Sequence, residues 1–295
     1  MPLKDSLAAL VVIVAWGMNF VVIKLALSEI PPLLLGFLRF AFVAFPAILF
    51  IKRPQLPWRT LMLYGLTISL GQFVFLFTAL AVGMPAGLAS LVLQAQAFFT
   101  VLIAALFLGE SLRRHNVWGM AVAAIGLVLV ARGAAPGSMT MLGLALTLVA
   151  ALSWSVGNIV AKSAAKADVL GLVVWGALIP PLPFLALSAV VEGPQRIWAS
   201  LTGISHVGIL AVIYLAVGAT LVGYGLWGRL LSRHPASKVA PLSLLVPVVG
   251  LVSSAWLLDE RMAAVQWLGG SAVLLGLVIN VFGPRMQIRR RPGLR

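Results

Sequence analysis

Two glutamines, Gln94 and Gln96, stand near the middle of an apolar run, residues 84–110, that is long enough to cross a membrane. A bilayer core about 30 Å thick is spanned by about 20 helical residues. In a helix the two side chains point about 200° apart, and a lipid-facing helix would not carry polar groups on opposite faces at mid-membrane depth. We therefore expect protein or a cavity around this helix. The two amides then either line a path for a polar molecule or join neighbouring helices by hydrogen bonds.

A second set of polar and aromatic side chains lies on one face of the first predicted helix. Trp16, Asn19 and Lys24 fall on a face about 140° wide. An amide at bilayer depth is costly unless it has a partner, so Asn19 is expected to face the protein interior. Trp154 and Asn158 repeat the pattern in the sixth predicted helix. An aromatic ring and an amide on one face suit the noncovalent binding of a small polar molecule.

Arg39 lies about seven residues, or roughly 10 Å, inside the second predicted helix. No acidic residue lies clearly within a predicted helix core, so the sequence offers Arg39 no ion partner. Its side chain either reaches outward or bonds carbonyls, or else it meets an anionic group of a bound molecule. Three further polar residues complete the candidate binding site: Gln72, Tyr224 and Ser243.

Two prolines, Pro241 and Pro247, are predicted to interrupt the ninth helix. Each removes a backbone donor and frees a carbonyl about one turn earlier, which exposes polar backbone inside the membrane. Such breaks either help to form a midplane site or act as simple packing kinks. We group both prolines with Lys24 and Lys162 as candidate gating or charge-carrying residues.

Catalytic chemistry has no support in the sequence, which contains no HExxH, GxSxG or GxxxxGK[ST] motif and no paired carboxylates in a helix core. We therefore expect no enzymatic activity, no metal site and no cofactor. The three histidines lie in predicted loops, so a buried proton relay is not expected either. Glu110 and Glu260 follow the fourth and ninth predicted helices. They either take part in coupling at the membrane edge or cap helix ends and pair with nearby arginines.

The composition requires these residues to be positioned by a membrane-embedded fold. Of the 295 residues, 62% are hydrophobic and 9% charged, with a mean hydropathy of +1.10, a balance that soluble domains of this length do not show. Continuously apolar runs predict helices, whereas barrel strands would alternate. The expected fold is an all-α integral membrane protein with ten transmembrane helices. These lie near residues 6–27, 32–51, 60–82, 86–108, 116–132, 140–161, 169–191, 206–229, 236–257 and 264–283.

Positive charge is distributed unevenly between the two sets of predicted loops. Of the 21 lysines and arginines, sixteen fall on the side of the N terminus and four on the opposite side. By the positive-inside rule, both termini are expected to be cytoplasmic. The net charge of +14 therefore reflects topology and not nucleic-acid binding. The basic tail, residues 285–295, is expected to contact anionic lipid.

The chain repeats its own pattern after a shift of 150 residues. Pro85 corresponds to Pro235 and Glu110 to Glu260, and AWGMNFVVIK at 15–24 resembles SWSVGNIVAK at 153–162 after a shift of 138. Because each repeat has five predicted helices, an odd number, the second repeat must cross the membrane in the opposite sense.

This repeat divides the chain and predicts how its ends pack. The predicted parts are a first repeat, a linker, a second repeat and the basic tail: residues 1–132, 133–139, 140–284 and 285–295. Glycines seven apart lie on one face of the fifth and of the tenth predicted helix, at Gly119 and Gly126 and at Gly269 and Gly276. Small residues let helices approach closely, so these two helices are expected to pack together.

Several segments resemble the EamA family of the drug/metabolite transporter superfamily: AWGMNFVVIK, PPLLLGFLRF, GMPAGLASLVLQAQAFFT, VAPLSLLVPVVGL and the GE and DE endings at 109–110 and 259–260. The resemblance spans nearly the whole chain. It implies a bacterial inner-membrane exporter with two inverted five-helix repeats around a central cavity, which helices 1, 3, 4, 6, 8 and 9 would line. It also implies alternating access and small amino-acid-like substrates, most closely O-acetylserine and cysteine.

Other substrates and another class of protein stay open at this point. Export of other amino acids or of drugs is the alternative within the superfamily, and a membrane scaffold that transports nothing is the alternative outside it. The expected partners are a small-molecule substrate and membrane lipids, without nucleic acid. The driving ion is undetermined, as is the choice between a monomer and a homodimer.

Overall fold

The protein is a multi-pass helical membrane protein. The computed structural model describes residues 1–133, 139–164 and 168–288, and the regular structure in these ranges is all helical. Within them, nine helices are long and apolar enough to cross a membrane, and a further apolar helix, Pro32–Ala47, has 16 residues. The predicted linker at 133–139 and the predicted lipid-binding tail at 285–295 fall largely outside the described residues.

We number the apolar helices in chain order as α1 (Leu3–Ala26), α2 (Pro32–Ala47), α3 (Trp58–Ala81), α4 (Ala86–Phe107), α5 (Arg114–Arg132), α6 (Met141–Ser163), α7 (Val169–Val191), α8 (His206–Arg233), α9 (Ser237–Leu257) and α10 (Ala264–Ile288). A short helix, Pro194–Gly203, connects α7 to α8. The predicted second helix was too long, because residues 48–51 form turns ahead of a loop that contains Pro54. His115 and His206 were wrongly predicted in loops, because they lie in the first turns of α5 and α8.

Irregular helical segments occur at matching positions of the two halves. In α3, Gly65–Gly71 is a π-helix, and in α8 the π-helix is Tyr214–Val222. In α4, a turn at residues 93–94 separates Ala86–Val92 from Ala95–Phe107. In α9, a 3₁₀ segment precedes Leu245–Leu257, and Ala95 and Leu245 are 150 residues apart. The same departures from α geometry therefore recur with the sequence repeat.

The predicted helix at 86–108 is present as one membrane-length span, Ala86–Phe107, but the turn within it at residues 93–94 was not predicted. Around it, the amides of Gln94, Gln96 and Ala97 bond to carbonyls three residues earlier, which tightens the backbone. The predicted interruption of α9 is present at Ala240–Leu244 and includes Pro241. Pro247 lies in the first turn of the following segment, where its missing N–H costs little.

Glycines bring α5 and α10 into backbone contact. A Cβ added at Gly119 would lie 2.7 Å from the carbonyl oxygen of Gly276, and one added at Gly126 would lie 2.6 Å from that of Gly269. Any side chain at these positions would force the two helices apart. The predicted packing of the fifth helix against the tenth is confirmed.

The connections between helices gather at two ends of the bundle. At the end that contains the N terminus, which we call the near end, His234 Nε2 lies 2.8 Å from Asp5 Oδ2. At the opposite, far end, three glutamate carboxylates accept hydrogen bonds at the starts of α8, α2 and α4: those of Glu29, Glu192 and Glu260. These contacts tie different helices together across the far end.

The two glutamates of the repeat have different partners. The Glu260 carboxylate accepts hydrogen bonds from the amides of Ala86 at 2.7 Å and Gly87 at 3.0 Å, so Glu260 caps α4. Glu110 forms an exposed ion pair with Lys162 of α6. Of the two interpretations, capping and pairing are thus observed, although the recorded partner of Glu110 is a lysine from another helix and not a nearby arginine.

Glu29 connects the end of α1 to the start of α8. Its carboxylate accepts hydrogen bonds from the Ser205 hydroxyl at 2.7 Å and from the Ser205 amide at 2.9 Å. Because both bonds favour the ionised form, they hold the pKa of Glu29 below its ordinary value of 4.5, with the hydroxyl contributing most and burial opposing the shift.

Candidate functional site

A cavity of about 430 Å³ lies inside the bundle and is lined by residues of α1–α4 and α6–α9. The resemblance implied six of these helices, and the structure adds α2 and α7. All the candidate binding residues line this cavity: Trp16, Asn19, Arg39, Gln72, Gln94, Gln96, Trp154, Asn158, Tyr224 and Ser243. Side chains from eight helices thus meet at one cavity.

The cavity extends toward the near end of the bundle and is closed toward the far end. Its lining includes Leu231, at the near-end part of α8, and Val169, at the start of α7. Beyond Leu76, on the far side, the interior is filled by apolar side chains such as Phe77 and Leu80, both completely buried. A molecule in the cavity would therefore communicate with the near end.

Arg39 is a buried cation at the cavity wall, with only 4% of its surface exposed. Its Nη1 donates to Asn19 Oδ1 at 3.3 Å and its Nη2 donates to the Thr220 hydroxyl at 3.1 Å. Among the described residues no carboxylate lies within ion-pair distance of it. Arg39 therefore stays inside the bundle, and among the described residues it bonds neither a backbone carbonyl nor an acidic side chain.

Aromatic rings hold the guanidinium of Arg39 in place. Its central carbon lies 4.3 Å from the ring centre of Phe73 and 5.7 Å from that of Phe40, within the range of cation–π attraction. The Nε atom is buried without a hydrogen-bond partner among the described residues. A planar guanidinium with spare donors is suited to binding a carboxylate through two parallel hydrogen bonds.

An aromatic cluster forms another part of the cavity wall. The ring of Trp16 lies 5.1 Å from that of Tyr224 and 5.3 Å from that of Trp227. Trp16 is held by a 2.9 Å hydrogen bond from its Nε1 to the carbonyl of Ala219, within the π-helical part of α8. These rings provide apolar surface and electron-rich faces to a bound molecule.

The two glutamines of α4 differ in their surroundings. Gln96 Oε1 accepts a 2.7 Å hydrogen bond from Asn158 Nδ2, which also approaches the Thr100 hydroxyl at 3.3 Å. The Gln94 side chain makes no hydrogen bond to any described residue, although it lines the cavity. Gln96 thus joins α4 to α6, whereas the amide of Gln94 is available to a ligand.

The four candidate gating or charge-carrying residues are outside the cavity lining. Lys24 Nζ donates to the carbonyl of Leu80 at 2.7 Å, near the far end. Lys162 pairs with Glu110 at the near end. Pro241 and Pro247 flank Ser243, whose hydroxyl donates to the carbonyl of Ala240 at 2.7 Å.

Two residues that contact Arg39, Thr220 and Phe73, were not among the predicted site residues. The Thr220 hydroxyl accepts a hydrogen bond from the guanidinium and donates one to the carbonyl of Leu215 at 2.8 Å. The ring of Phe73 stacks on the guanidinium. Thr220 lies four residues before Tyr224, so the common face of α8 was an available signal. Phe73 carried no signal, because an apolar ring in an apolar helix looks like ordinary core.

The cavity has one kind of charge. Arg39 is the charged residue among its described lining residues, and no aspartate or glutamate of the described chain lines it. The described residues also contain no group of three metal-ligating side chains. The arrangement can bind a polar or anionic molecule by hydrogen bonds and charge.

Membrane-length helices around an internal cavity, lined by aromatic and polar side chains, are typical of helical membrane transporters. The model of the EamA-like transporter family matches residues 4–132 and 141–282. The chain belongs to the EamA-like transporter family. It is 51% identical over 289 residues to a probable amino-acid metabolite efflux pump of Escherichia coli K12, covering 96% of this chain and 97% of that one.

Two further comparisons agree with this assignment. A probable amino-acid metabolite efflux pump of Salmonella typhimurium is 52% identical over 289 residues, which cover 96% of this chain and 97% of the relative. A solved crystal structure, described simply as that of a protein, matches with a TM-score of 0.67 at 21% sequence identity, covering 96% of this chain and 98% of the other. At that identity the likeness concerns the fold alone.

Proposed function

We propose that this transporter exports small zwitterionic amino-acid metabolites, most closely O-acetylserine and cysteine, across a bacterial inner membrane. The observation that carries the proposal is Arg39, a buried cation at the cavity wall without a described carboxylate partner. A cation held in this way is costly in a membrane unless an anion joins it. The names of the two relatives, which mention amino-acid metabolites, support the same substrate class.

The cavity offers a distinct partner to each end of a zwitterion. The carboxylate is assigned to Arg39, and not to Lys24, because Lys24 bonds the carbonyl of Leu80 outside the lining. The ammonium group has no carboxylate to meet among the described lining residues. We assign it to the amide oxygen of Gln94 and to the faces of Trp16 and Tyr224, where cation–π attraction replaces an ion pair.

We further propose ten membrane crossings arranged as two inverted repeats. Pro32–Ala47 would be the tenth crossing; its 16 residues extend about 24 Å, somewhat less than the bilayer core. Support for the inversion comes from the glycine contacts: the pair Gly119 and Gly276 becomes the pair Gly269 and Gly126 when the halves are exchanged. The matched helix breaks support it as well.

The charge distribution favours cytoplasmic termini, which would make the near end cytoplasmic. The cavity extends toward that end and is closed at the other. The conformation would then be inward-facing, ready to take substrate from the cytoplasm. Export requires a second, outward-facing conformation, as alternating access provides.

Counterflow in proteoliposomes tests the proposed function. Vesicles loaded with unlabelled O-acetylserine are placed in labelled O-acetylserine, and the trapped label is measured against cysteine, unrelated amino acids and cationic drugs as competitors. Accumulation that O-acetylserine and cysteine inhibit, and that protein-free vesicles lack, is expected. Exchange with drugs or unrelated amino acids instead would contradict the substrate assignment. No exchange of any solute by folded protein would favour a scaffold.

A further inference from the structure

At the far end, the carboxylates of Glu29, Glu192 and Glu260 connect helices to one another. Each accepts two hydrogen bonds at the start of another helix. Glu260 receives the amides of Ala86 and Gly87 at the start of α4. Glu192 receives the amides of Leu33 at 2.7 Å and Leu34 at 3.1 Å at the start of α2. Each of these hydrogen bonds is charge-assisted, and each carboxylate complements the positive end of a helix dipole. Opening the far end would break such contacts.

One of these contacts, that of Glu260 with the start of α4, has a counterpart in the other half of the repeat. The shift of 150 residues relates Glu260 to Glu110. It also relates Ala86, at the start of α4, to Ala236, which begins the short helical segment Ala236–Val239 that leads into α9. Yet Glu110 is paired with Lys162, and both side chains are about half exposed. Glu260, at the far end, thus accepts hydrogen bonds from the start of a helix, whereas its counterpart Glu110, at the near end, forms an ion pair with a lysine.

The lysines are counterparts as well. A shift of 138 residues converts Lys24 into Lys162. Lys24 lies at the end of α1, at the same end of the bundle as Glu260, and its Nζ donates to the carbonyl of Leu80 at 2.7 Å. At each end, the repeat therefore relates one glutamate, one lysine and one helix start, and these are paired differently at the two ends.

We propose that Glu110 and Glu260 are alternating latches of the transport cycle. In the observed conformation Glu260 holds the far end closed by its hydrogen bonds to the start of α4, and Glu110 is paired with Lys162. In the outward-facing conformation the pairings exchange: Glu260 moves to Lys24, and Glu110 closes the near end on the start of α9. This inference rests on the proposed alternating access, and it makes two residues outside the cavity determine which side the cavity faces.

The exchange is nearly symmetric, which suits a transporter that must visit both conformations. Each change of conformation breaks the contact of one glutamate with a helix start and the ion pair of the other glutamate with a lysine. A new helix-start contact then forms at one end and a new ion pair at the other. The exposed pair contributes little by itself, because solvent screens it. The engaged helix start dominates, so neutralising either glutamate is expected to favour the conformation in which that glutamate is not a latch.

Cysteine labelling tests the latches directly, since the chain has no cysteine. Leu76→Cys places a reporter at the far boundary of the cavity, where Leu76 is 1% exposed. Ser243→Cys places another at the near side. A membrane-impermeant maleimide is applied to spheroplasts for the first reporter and to inverted vesicles for the second. E260Q is expected to raise external labelling of Leu76→Cys by about ten-fold, and E110Q is expected to lower it below that of the parent protein.

Asp168→Asn is the matched control, because Asp168 accepts from the Gly171 amide at 2.7 Å within its own helix. This variant removes the same charge from a side chain whose recorded hydrogen bond stays within one helix. Unchanged labelling is therefore expected. E260D, which keeps the charge and shortens the reach, provides a second latch variant with the same expected direction if E260Q fails to reach the membrane.

The outcomes separate the latches from the proposed function. Opposite shifts in E260Q and E110Q support the exchange. Equal shifts in one direction, or no shift in either, while the parent protein labels from both sides would overturn it and leave alternating access intact. Labelling of Ser243→Cys from the near side only, with Leu76→Cys unlabelled in every variant and with substrate present, would overturn alternating access itself.

Discussion

The guanidinium carbon of Arg39 lies 4.3 Å from the ring centre of Phe73, inside a bundle where no described carboxylate meets it. Stacking leaves the edge of the guanidinium free to donate, and Asn19 and Thr220 take only part of that edge. A buried cation thus keeps hydrogen-bonding capacity that the described protein groups do not use.

Arg39→Lys is expected to weaken substrate binding even though it keeps the positive charge. Lysine cannot stack as a plane or form two parallel hydrogen bonds, so the KM for a zwitterionic substrate should rise by about ten-fold or more. Initial rates in proteoliposomes measure this change. Arg53→Lys is the matched control, since Arg53 also stacks on an aromatic ring, that of Trp58 at 4.1 Å, but outside the cavity. An unchanged KM in Arg39→Lys would remove the carboxylate assignment.

Gln94→Ala and Gln96→Ala are expected to differ in stability. Gln96 is bonded to Asn158, so its removal should lower the free energy of unfolding by about 1 kcal/mol. Gln94→Ala should leave the melting temperature and expression unchanged while reducing transport, because its amide bonds no described residue. Thermal melts in detergent and counterflow rates measure the two effects. Normal transport by Gln94→Ala would exclude Gln94 from the substrate site.

Gly126→Ala is expected to destabilise the α5–α10 contact. The added methyl group would lie 2.6 Å from the carbonyl oxygen of Gly269, and backbone cannot move aside as a flexible side chain can. A loss of about 1–3 kcal/mol is typical of such overpacking. Gly203→Ala serves as the control, because nothing lies within 4 Å of its added methyl group. Equal melting temperatures for the two variants would disprove the close contact.

Acidification should release the contact between Glu29 and Ser205. The folded pKa of Glu29 is below its ordinary value of 4.5, so its stabilising contribution is present above that value and is lost as the pH falls through the folded pKa. Wild type should therefore have a higher melting temperature than Glu29→Gln at about pH 7, and the difference should narrow as the pH falls below the ordinary value of 4.5. Asp259→Asn should show little gap at either pH, since its ion pair is largely exposed. A Glu29→Gln gap that is independent of pH would contradict this account.

The site residues could be predicted from sequence because polarity at bilayer depth is expensive. Asn19, Gln72 and Asn158 each stand out in an apolar helix, and each lines the cavity. Phe73 could not be found in this way, since its role depends on what approaches its ring. The break in α4 was also hidden, because that helix lacks the prolines of α9; aligning Gln94 with Leu244 through the repeat would have suggested it.

The sequence by itself determined that the protein is membrane-embedded, that its helices repeat, and which side chains must avoid lipid. These properties depend on runs of apolar residues and on the transfer cost of each polar group, which are local quantities. Only the tertiary structure decided that, of two glutamines lining one cavity, Gln96 bonds Asn158 while Gln94 bonds no described side chain. It also decided that Glu110 pairs with Lys162 while Glu260 caps α4. Those choices depend on atoms brought together from distant parts of the chain, and helix periodicity does not determine which helix a side chain will meet.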